Sequence, residues 1–145
     1  MANGIKLHRV LRAAPSKVYK AFTNPAAVVK WLPPNGFTCT VHAMDVKVGG
    51  TYRMSFTNFG SGKSHSFGGK YLELVPGERL RYTDKIEVMP SEMMTTITFK
   101  EVSCGTELTV TQENLPDAIP PEMCYLGWQE SLVLLGKLVE ADNPD

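Results

Sequence analysis

The sequence lacks any run of about 20 consecutive apolar residues, the length that a helix needs to cross a bilayer. Its first ten residues, MANGIKLHRV, also lack the apolar segment of a secretory signal peptide. We therefore expect no membrane insertion and a cytoplasmic location.

The chain has no excess of either charge, because its 15 basic side chains are balanced by 15 acidic ones. It also contains no dense basic run. Proteins that bind nucleic acids usually carry a basic patch or stripe. Nucleic acid is therefore not an expected partner.

Cysteine and histidine are scarce, with three of each. The cysteines are Cys39, Cys104 and Cys124, and the histidines are His8, His42 and His65. Neither set has the spacing of a disulfide framework or of a zinc site. Gly62-Lys63-Ser64 resembles the end of a phosphate-binding loop, but Thr57 stands where that motif needs glycine. We expect no metal and no cofactor.

What the sequence does contain is an amphipathic helix near its C-terminus, predicted over residues 120–141. At 100° per residue its apolar side chains fall on one face. These side chains are Cys124, Trp128, Leu132, Leu135 and Val139. Gly127 and Gly136 lie inside the helix, where each costs about 1 kcal/mol against alanine. They indicate either close backbone packing or a position facing a ligand.

Most of the remaining chain alternates apolar and polar residues, the period of a half-buried strand. Seven strands are predicted at 5–11, 38–44, 51–59, 67–75, 80–86, 93–101 and 106–113, with two short helices near 14–22 and 26–32. Short connections favour antiparallel pairing. With 43% hydrophobic residues, we expect one α+β domain over residues 1–145. Its curved sheet would leave space beneath the long helix.

The inward faces of these elements predict a cavity lined mainly by apolar side chains, with a few polar groups. The predicted lining residues are Trp31, Met54, Phe56, Asn58, Tyr82, Asp84, Ile97, Phe99, Val110, Gln112, Trp128, Leu132 and Leu135. The alternative for each is that it fills the core. Asn58, Asp84 and Gln112 would need partners or water there, since an unpaired buried polar group costs about 1 to 3 kcal/mol.

Several segments, in this order, resemble the START-like helix-grip superfamily, also called SRPBCC. Within it the chain is similar to the C-terminal domain of activators of the heat-shock protein 90 ATPase. The segments are 14–25 with Lys30-Trp31, 44–50, 69–74 followed by 76–80, 105–109 and 127–132. The resemblance covers about residues 5–141. It implies a helix-grip fold, with a curved seven-stranded antiparallel sheet wrapped around the long C-terminal helix.

The resemblance also implies a cavity that different relatives use for lipids, hormones, polyketide substrates or other apolar molecules. We therefore expect a binder of an apolar or amphipathic small molecule. One alternative is a co-chaperone-like module acting on the heat-shock protein 90 ATPase, although such activators also carry an N-terminal domain with no counterpart here. Relatives often pair as dimers, so a homodimer is a further partner arrangement. Lys47 departs from the arginine that members often carry there.

A second alternative is a small cyclase or hydrolase-like enzyme that uses the same cavity. It needs an acid or base with a perturbed pKa inside the cavity. Asp84 and His42 are the candidates, but a lone histidine on a strand is more often a surface or structural residue. No nucleophile elbow or paired-carboxylate segment is present, so the prediction favours binding over catalysis.

Overall fold

The computed structural model describes residues 4–143. Its elements are β1 (Gly4–Leu11), α1 (Pro15–Thr23), α2 (Pro25–Trp31), β2 (Phe37–Met44), β3 (Thr51–Asn58), β4 (Ser64–Val75), β5 (Arg79–Ile86), β6 (Met93–Val102), β7 (Gly105–Glu113) and α3 (Pro121–Val139). The strands form one antiparallel sheet in the order β1-β7-β6-β5-β4-β3-β2. The predicted fold class is confirmed.

The β3–β4 hairpin is longer than predicted. The glycine-rich connection suggested that β4 starts near residue 67, yet Ser64 and His65 already pair with Thr57 and Phe56. The turn is short because the Asn58 carboxamide oxygen accepts hydrogen bonds from the amides of Gly60 and Ser61, at 2.9 and 3.2 Å. An asparagine that binds the backbone two residues ahead is a common way to close such a turn.

Helices α1 and α2 follow each other directly, and a proline begins each of them. Between them the Asn24 side chain accepts a hydrogen bond from the Ala26 amide at 2.9 Å, which caps α2. Trp31 joins the pair: its indole N–H donates to the Ala21 carbonyl at 2.8 Å, and its ring packs edge-on against Phe22. Trp31 is 1% exposed, so it pins α2 onto the core.

Helix α3 is anchored through its C-terminal half. Its buried residues are Ser131, Leu132, Leu135, Gly136 and Val139. Among the described helices and strands, its Cα atoms come within 8 Å of those of β1, α1 and α2. A Cβ on Gly136 would be 3.7 Å from the Leu11 side chain, ordinary packing distance, so this glycine lies against β1.

Polar contacts reinforce the same end of α3. The Glu140 carboxylate accepts a hydrogen bond from the Arg12 amide at 2.9 Å, and Lys17 donates to the Ala141 carbonyl at 3.0 Å. The Ser131 hydroxyl donates to the Leu32 carbonyl at 2.6 Å. By contrast, residues 121–128 are exposed or half-buried, with Leu126 at 54% exposure. The N-terminal half of α3 therefore stands away from the sheet.

The core lies on the concave face of the sheet and reaches α1 and α2. Its most deeply buried large side chains include Leu7, Leu80, Ile97, Leu108 and Leu135. Of the strand residues in this set, Ile97 is one that the period-two pattern predicted to face inward. Across residues 4–143, no helix is long and apolar enough to cross a membrane.

The two tryptophans differ in burial, and this difference predicts different losses on truncation. We expect Trp31→Ala to lower the free energy of unfolding by about 3 to 5 kcal/mol, the usual range for emptying a buried aromatic site. Trp128 is half-buried, so Trp128→Ala should cost clearly less. Chemical denaturation of both variants measures this. An equal or larger loss for Trp128→Ala would contradict a raised N-terminal half of α3.

Candidate functional site

A cavity of about 200 Å³ lies between the N-terminal half of α3, the α2 segment and the middle of the sheet. It is lined by Phe22, Val28, Trp31, Leu32, Pro34, Met44, Tyr52, Met54, Phe56, His65, Phe67, Tyr71, Leu80, Tyr82, Asp84, Ile86, Met93, Gln112, Ile119, Cys124, Gly127, Trp128 and Ser131. Most of these side chains are apolar, and His65 is the exposed one. The cavity therefore reaches the surface near His65.

The roof of the cavity is the face of α3 that carries Cys124, Gly127, Trp128 and Ser131. These positions are three or four residues apart, so they lie on one side of the helix. A Cβ built on Gly127 would have no heavy atom within 4 Å. The absent side chain at Gly127 therefore leaves open space, unlike Gly136, which packs against its neighbours.

Part of the floor is a cluster of three tyrosines, Tyr52, Tyr71 and Tyr82, here called the three-tyrosine cluster. The ring centroid of Tyr52 lies 5.6 Å from that of Tyr71 and 5.7 Å from that of Tyr82, and the Tyr71 and Tyr82 centroids are 6.4 Å apart. These are normal distances for tilted and edge-to-face aromatic contacts. The cluster joins β3, β4 and β5 on the inner face of the sheet.

Gly69 makes the position of Tyr52 possible. It is the cross-strand partner of Tyr52 on β4, and a Cβ there would collide with the Thr83 carbonyl on β5. Because Gly69 has no side chain, the Tyr52 hydroxyl reaches across β4 and donates to that carbonyl at 2.9 Å. A buried phenol normally has such a partner.

Asp84 is the acidic group of the cavity. It lies two residues after Tyr82 on the same face of β5, and the surface it retains borders the cavity. Burial raises the pKa of its carboxyl group from 3.8 to about 7, although the nearby Tyr52 hydroxyl acts in the opposite direction. That hydroxyl has one proton and donates it to Thr83. The Asp84 Oδ1 atom is buried and has no hydrogen-bond partner.

Gln112 provides a second polar group, and its hydrogen bonds are satisfied. Its amide nitrogen donates to the Thr95 hydroxyl at 3.1 Å, and its amide oxygen accepts from the Trp128 indole N–H at 3.4 Å. The contact between Gln112 and Trp128 fixes the Trp128 ring over the cavity.

Thr95 also acts on Tyr82. Burial raises the pKa of Tyr82, while the adjacent Thr95 hydroxyl partly offsets this effect.

The thiol and phenol groups of the lining stay neutral near pH 7. Burial, with a smaller contribution from the Asp84 charge, raises the pKa of the Cys124 thiol. Burial raises the pKa of Tyr71 to about 12 and that of Tyr52 well above its usual value of 10.0. Asp84 is thus the lining carboxyl group that can change its charge near neutral pH.

The structure separates the predicted lining residues into two groups. Around the cavity it places Trp31, Met54, Phe56, Tyr82, Asp84, Gln112 and Trp128. Outside the cavity lining it places Asn58, Ile97, Phe99, Val110, Leu132 and Leu135. The last five are core residues that face inward but meet other side chains. Asn58 closes the β3–β4 turn.

His42 lies away from the cavity, on the opposite face of the sheet. Its Nε2 atom is 2.7 Å from the Ser55 hydroxyl, which is 2.8 Å from the Ser66 hydroxyl. Like Thr38 and Thr40 it is exposed, whereas Cys39 and Val41 between them pack against the core. The suggestion that His42 is an acid or base inside the cavity is therefore wrong.

The predicted lining omitted several residues that carry chemical character, among them Tyr71, His65 and Cys124. Gly127 was predicted as either a packing position or a ligand-facing one, and it lies in the lining. The strand period could have indicated Tyr71, since Phe67, Gly69 and Tyr71 share a face of β4. No local pattern indicates His65, because β4 was predicted to start after it. Within residues 4–143 no three histidine, cysteine or acidic side chains are grouped to hold a metal ion.

Comparison with known proteins identifies relatives over nearly the whole chain. The family described as Activator of Hsp90 ATPase homolog 1-like protein matches residues 12–140. A crystal structure from Chromobacterium violaceum is 58% identical, with a TM-score of 0.95, and the alignment covers 97% of this chain and 99% of that one.

More distant structures share the fold. A Rhodobacter sphaeroides protein is 22% identical, with a TM-score of 0.84 and coverage of 93% of this chain and 90% of its own. An AHSA1-like protein from Aeromonas hydrophila is 18% identical, with a TM-score of 0.80 and coverage of 95% and 92%. None of the functionally curated proteins is significantly similar in sequence.

The buried carboxyl group predicts a specific pH dependence of stability. The folded protein holds the Asp84 proton up to about pH 7, whereas the unfolded chain loses it near 3.8. Stability from this group is therefore present at low pH and decreases as the pH rises between those values, by about 1.4 kcal/mol per pH unit. The loss should be complete once the pH passes the folded-state pKa.

Between pH 5 and pH 8 the native protein should lose about 2 to 3 kcal/mol of unfolding free energy that Asp84→Asn does not lose. Denaturant titrations at both pH values measure this difference. Asp117→Asn removes an exposed carboxyl group and is the control. A constant difference between Asp84→Asn and the native protein would show that Asp84 is ionised throughout.

Proposed function

The chain belongs to the family of Activator of Hsp90 ATPase homolog 1-like proteins, and we propose that it binds a small apolar or amphipathic molecule in the cavity beneath α3. The observation that supports this most directly is the space itself, about 200 Å³. An apolar cavity of roughly 150 Å³ can hold benzene, and a single water needs about 10 to 15 Å³. The space is thus large enough for a small organic ligand.

The composition of the lining supports the same proposal. Apolar side chains such as Met54, Phe56 and Phe67 form most of the surface, and Asp84 and Gln112 add polar groups at fixed positions. Small-molecule sites usually combine an apolar lining with a few oriented polar groups. At about 200 Å³ the cavity is smaller than the roughly 300 to 1,000 Å³ of drug-sized sites. We therefore propose a ligand of modest size.

We favour binding over a cyclase or hydrolase-like reaction. General acid–base catalysis needs a group whose pKa lies near the working pH, usually together with a partner or nucleophile. Asp84 meets the first requirement. Cys124 and the three-tyrosine cluster are held neutral, and the Ser131 hydroxyl is used in hydrogen bonds to the carbonyls of Leu32 and Gly127.

The family description also names activation of the Hsp90 ATPase. A shared fold supports many functions, and the argument for function has to come from the site. In this chain the cavity is the feature whose lining supports a function, so we propose ligand binding and not a chaperone interaction.

Gly127 provides a direct test, because a larger side chain there enters open space. We expect Gly127→Leu to fold normally, since it replaces a helical glycine that costs about 1 kcal/mol. It should also weaken binding of propylbenzene at least about tenfold, because the leucine occupies the site that the ligand would fill. Binding is measured by isothermal titration and by the change in tryptophan fluorescence.

Val133→Leu is the matched control, since it introduces the same side chain at an exposed position of α3. It should bind propylbenzene as the native protein does. Native mass spectrometry of gently purified protein should also detect a bound molecule in the native protein and less of it in Gly127→Leu. If neither propylbenzene nor a copurified molecule binds the native protein, the proposed function is wrong.

A further inference from the structure

We propose, building on the ligand-binding function above, that the bound molecule is a small protonated amine with an apolar body. Its nitrogen would lie between the Asp84 carboxylate and the three-tyrosine cluster, and its apolar part would lie against Met54, Phe56 and Trp128. The inference concerns the chemical class of the ligand and depends on the cavity being a ligand site.

The cavity lining provides no counter-charge for Asp84. Buried acidic side chains are rarely found without a partner, because transferring an isolated charge from water is costly. No lysine or arginine is among the residues that line this cavity, and His65 lies at its exposed end. The Asp84 Oδ1 atom has no hydrogen-bond partner. A cation that satisfies Asp84 would therefore have to come with the ligand.

An aromatic surface lies beside Asp84. Tyrosine rings attract cations through their negative faces, and cages of several aromatic rings recognise ammonium groups. The rings of the three-tyrosine cluster lie within 5.6 to 6.4 Å of one another, and the Asp84 charge acts on both Tyr52 and Tyr82. The Tyr52 hydroxyl donates its one proton to Thr83, so toward a ligand its oxygen can act only as an acceptor.

Polar and apolar surfaces occupy different parts of the cavity. Asp84 and the three-tyrosine cluster lie on β3, β4 and β5, whereas Met54, Phe56 and Phe67 provide an apolar wall on β3 and β4. A molecule with a charged nitrogen at one end and a short hydrocarbon or aryl group at the other matches this arrangement. The volume of about 200 Å³ limits that group to roughly the size of one ring with a short chain.

A neutral ligand with a carbonyl group is the competing possibility, because a protonated Asp84 would donate a hydrogen bond to it. The two classes are separated with four probes of similar size: 2-phenylethylamine, 2-phenylethanol, acetophenone and propylbenzene. Each is titrated calorimetrically into the native protein, Asp84→Asn and Gly127→Leu at pH 8, where the Asp84 carboxyl group is mostly ionised.

We expect 2-phenylethylamine to bind the native protein at least about tenfold more tightly than 2-phenylethanol or acetophenone, because a charge-assisted contact exceeds a neutral one by about that factor. Asp84→Asn should lose this preference and still bind propylbenzene. Equal affinity for the amine and either neutral oxygen compound, or an unchanged amine affinity in Asp84→Asn, would overturn the amine proposal and leave the cavity function standing. Failure of all four probes, propylbenzene included, would overturn the amine proposal, and if no copurified molecule is bound either, it would overturn the cavity function as well.

The pH dependence provides a second readout. Amine affinity should rise between pH 5.5 and pH 8 as Asp84 ionises, since an alkylamine stays protonated well above this range. The ionisable groups facing Asp84 from β3, β4, β5 and α3 are Tyr52, Tyr71, Tyr82 and Cys124, whose pKa values are all raised. A histidine ordinarily titrates in this range, so His65→Gln is measured in parallel. A rise that persists in Asp84→Asn would contradict the proposal.

Discussion

The site depends on how α3 is held. Leu132, Leu135 and Val139 are buried, and the Glu140 carboxylate binds the Arg12 amide, so the C-terminal half of the helix is fixed to β1 and the neighbouring loop. Hydrogen bonds from Ser131 to Leu32 and from the Asn35 amide to Glu130 tie the middle of the helix to the segment after α2. A helix is stiff over this length, so the N-terminal half of α3 extends over the sheet without collapsing onto it.

The resulting cavity contains the Asp84 carboxyl group, whose burial disfavours folding at neutral pH. An ionised carboxylate surrounded by Tyr52, Tyr82 and apolar side chains loses hydration that the sheet does not replace. Polar groups elsewhere in the same interior, such as Gln112 and the Trp128 indole, have partners. Strained or poorly satisfied groups occur disproportionately at functional sites, where a ligand provides the missing interaction. Asp84 is the cavity residue to which that reasoning applies.

Much of the architecture could be predicted from the sequence, because it depends on local periodicity. Alternation along β3 and β5 predicted which side chains face inward, and the spacing of Leu132, Leu135 and Val139 predicted the buried face of α3. The sequence did not distinguish inward residues that meet the cavity from those that meet the core. Asp84 and Ile97 both face inward, yet only the former lies beneath the raised half of the helix. That distinction depends on where along its length α3 leaves the sheet.

Other parts depended on contacts between residues distant in the sequence. His42 and Met44 are two residues apart and would share a face of a regular strand, but the β-bulge between Val41 and Ala43 separates them, and only Met44 lines the cavity. Bulges carry no reliable local signal. Gly127 and Gly136 look equivalent in the sequence, but one faces open space and the other packs on Leu11.

The bond from Tyr52 on β3 to the Thr83 carbonyl on β5 passes over an intervening strand at Gly69. Three strands are thereby held in one alignment by a side chain as well as by their backbone ladders. Insertions at the hairpin tip, residues 59–63, leave this alignment intact, whereas a single-residue insertion within β3 or β4 would turn Tyr52 or Gly69 to the other face. Divergence among relatives should therefore proceed by loop lengthening and by side-chain exchange, with the strand lengths here kept constant.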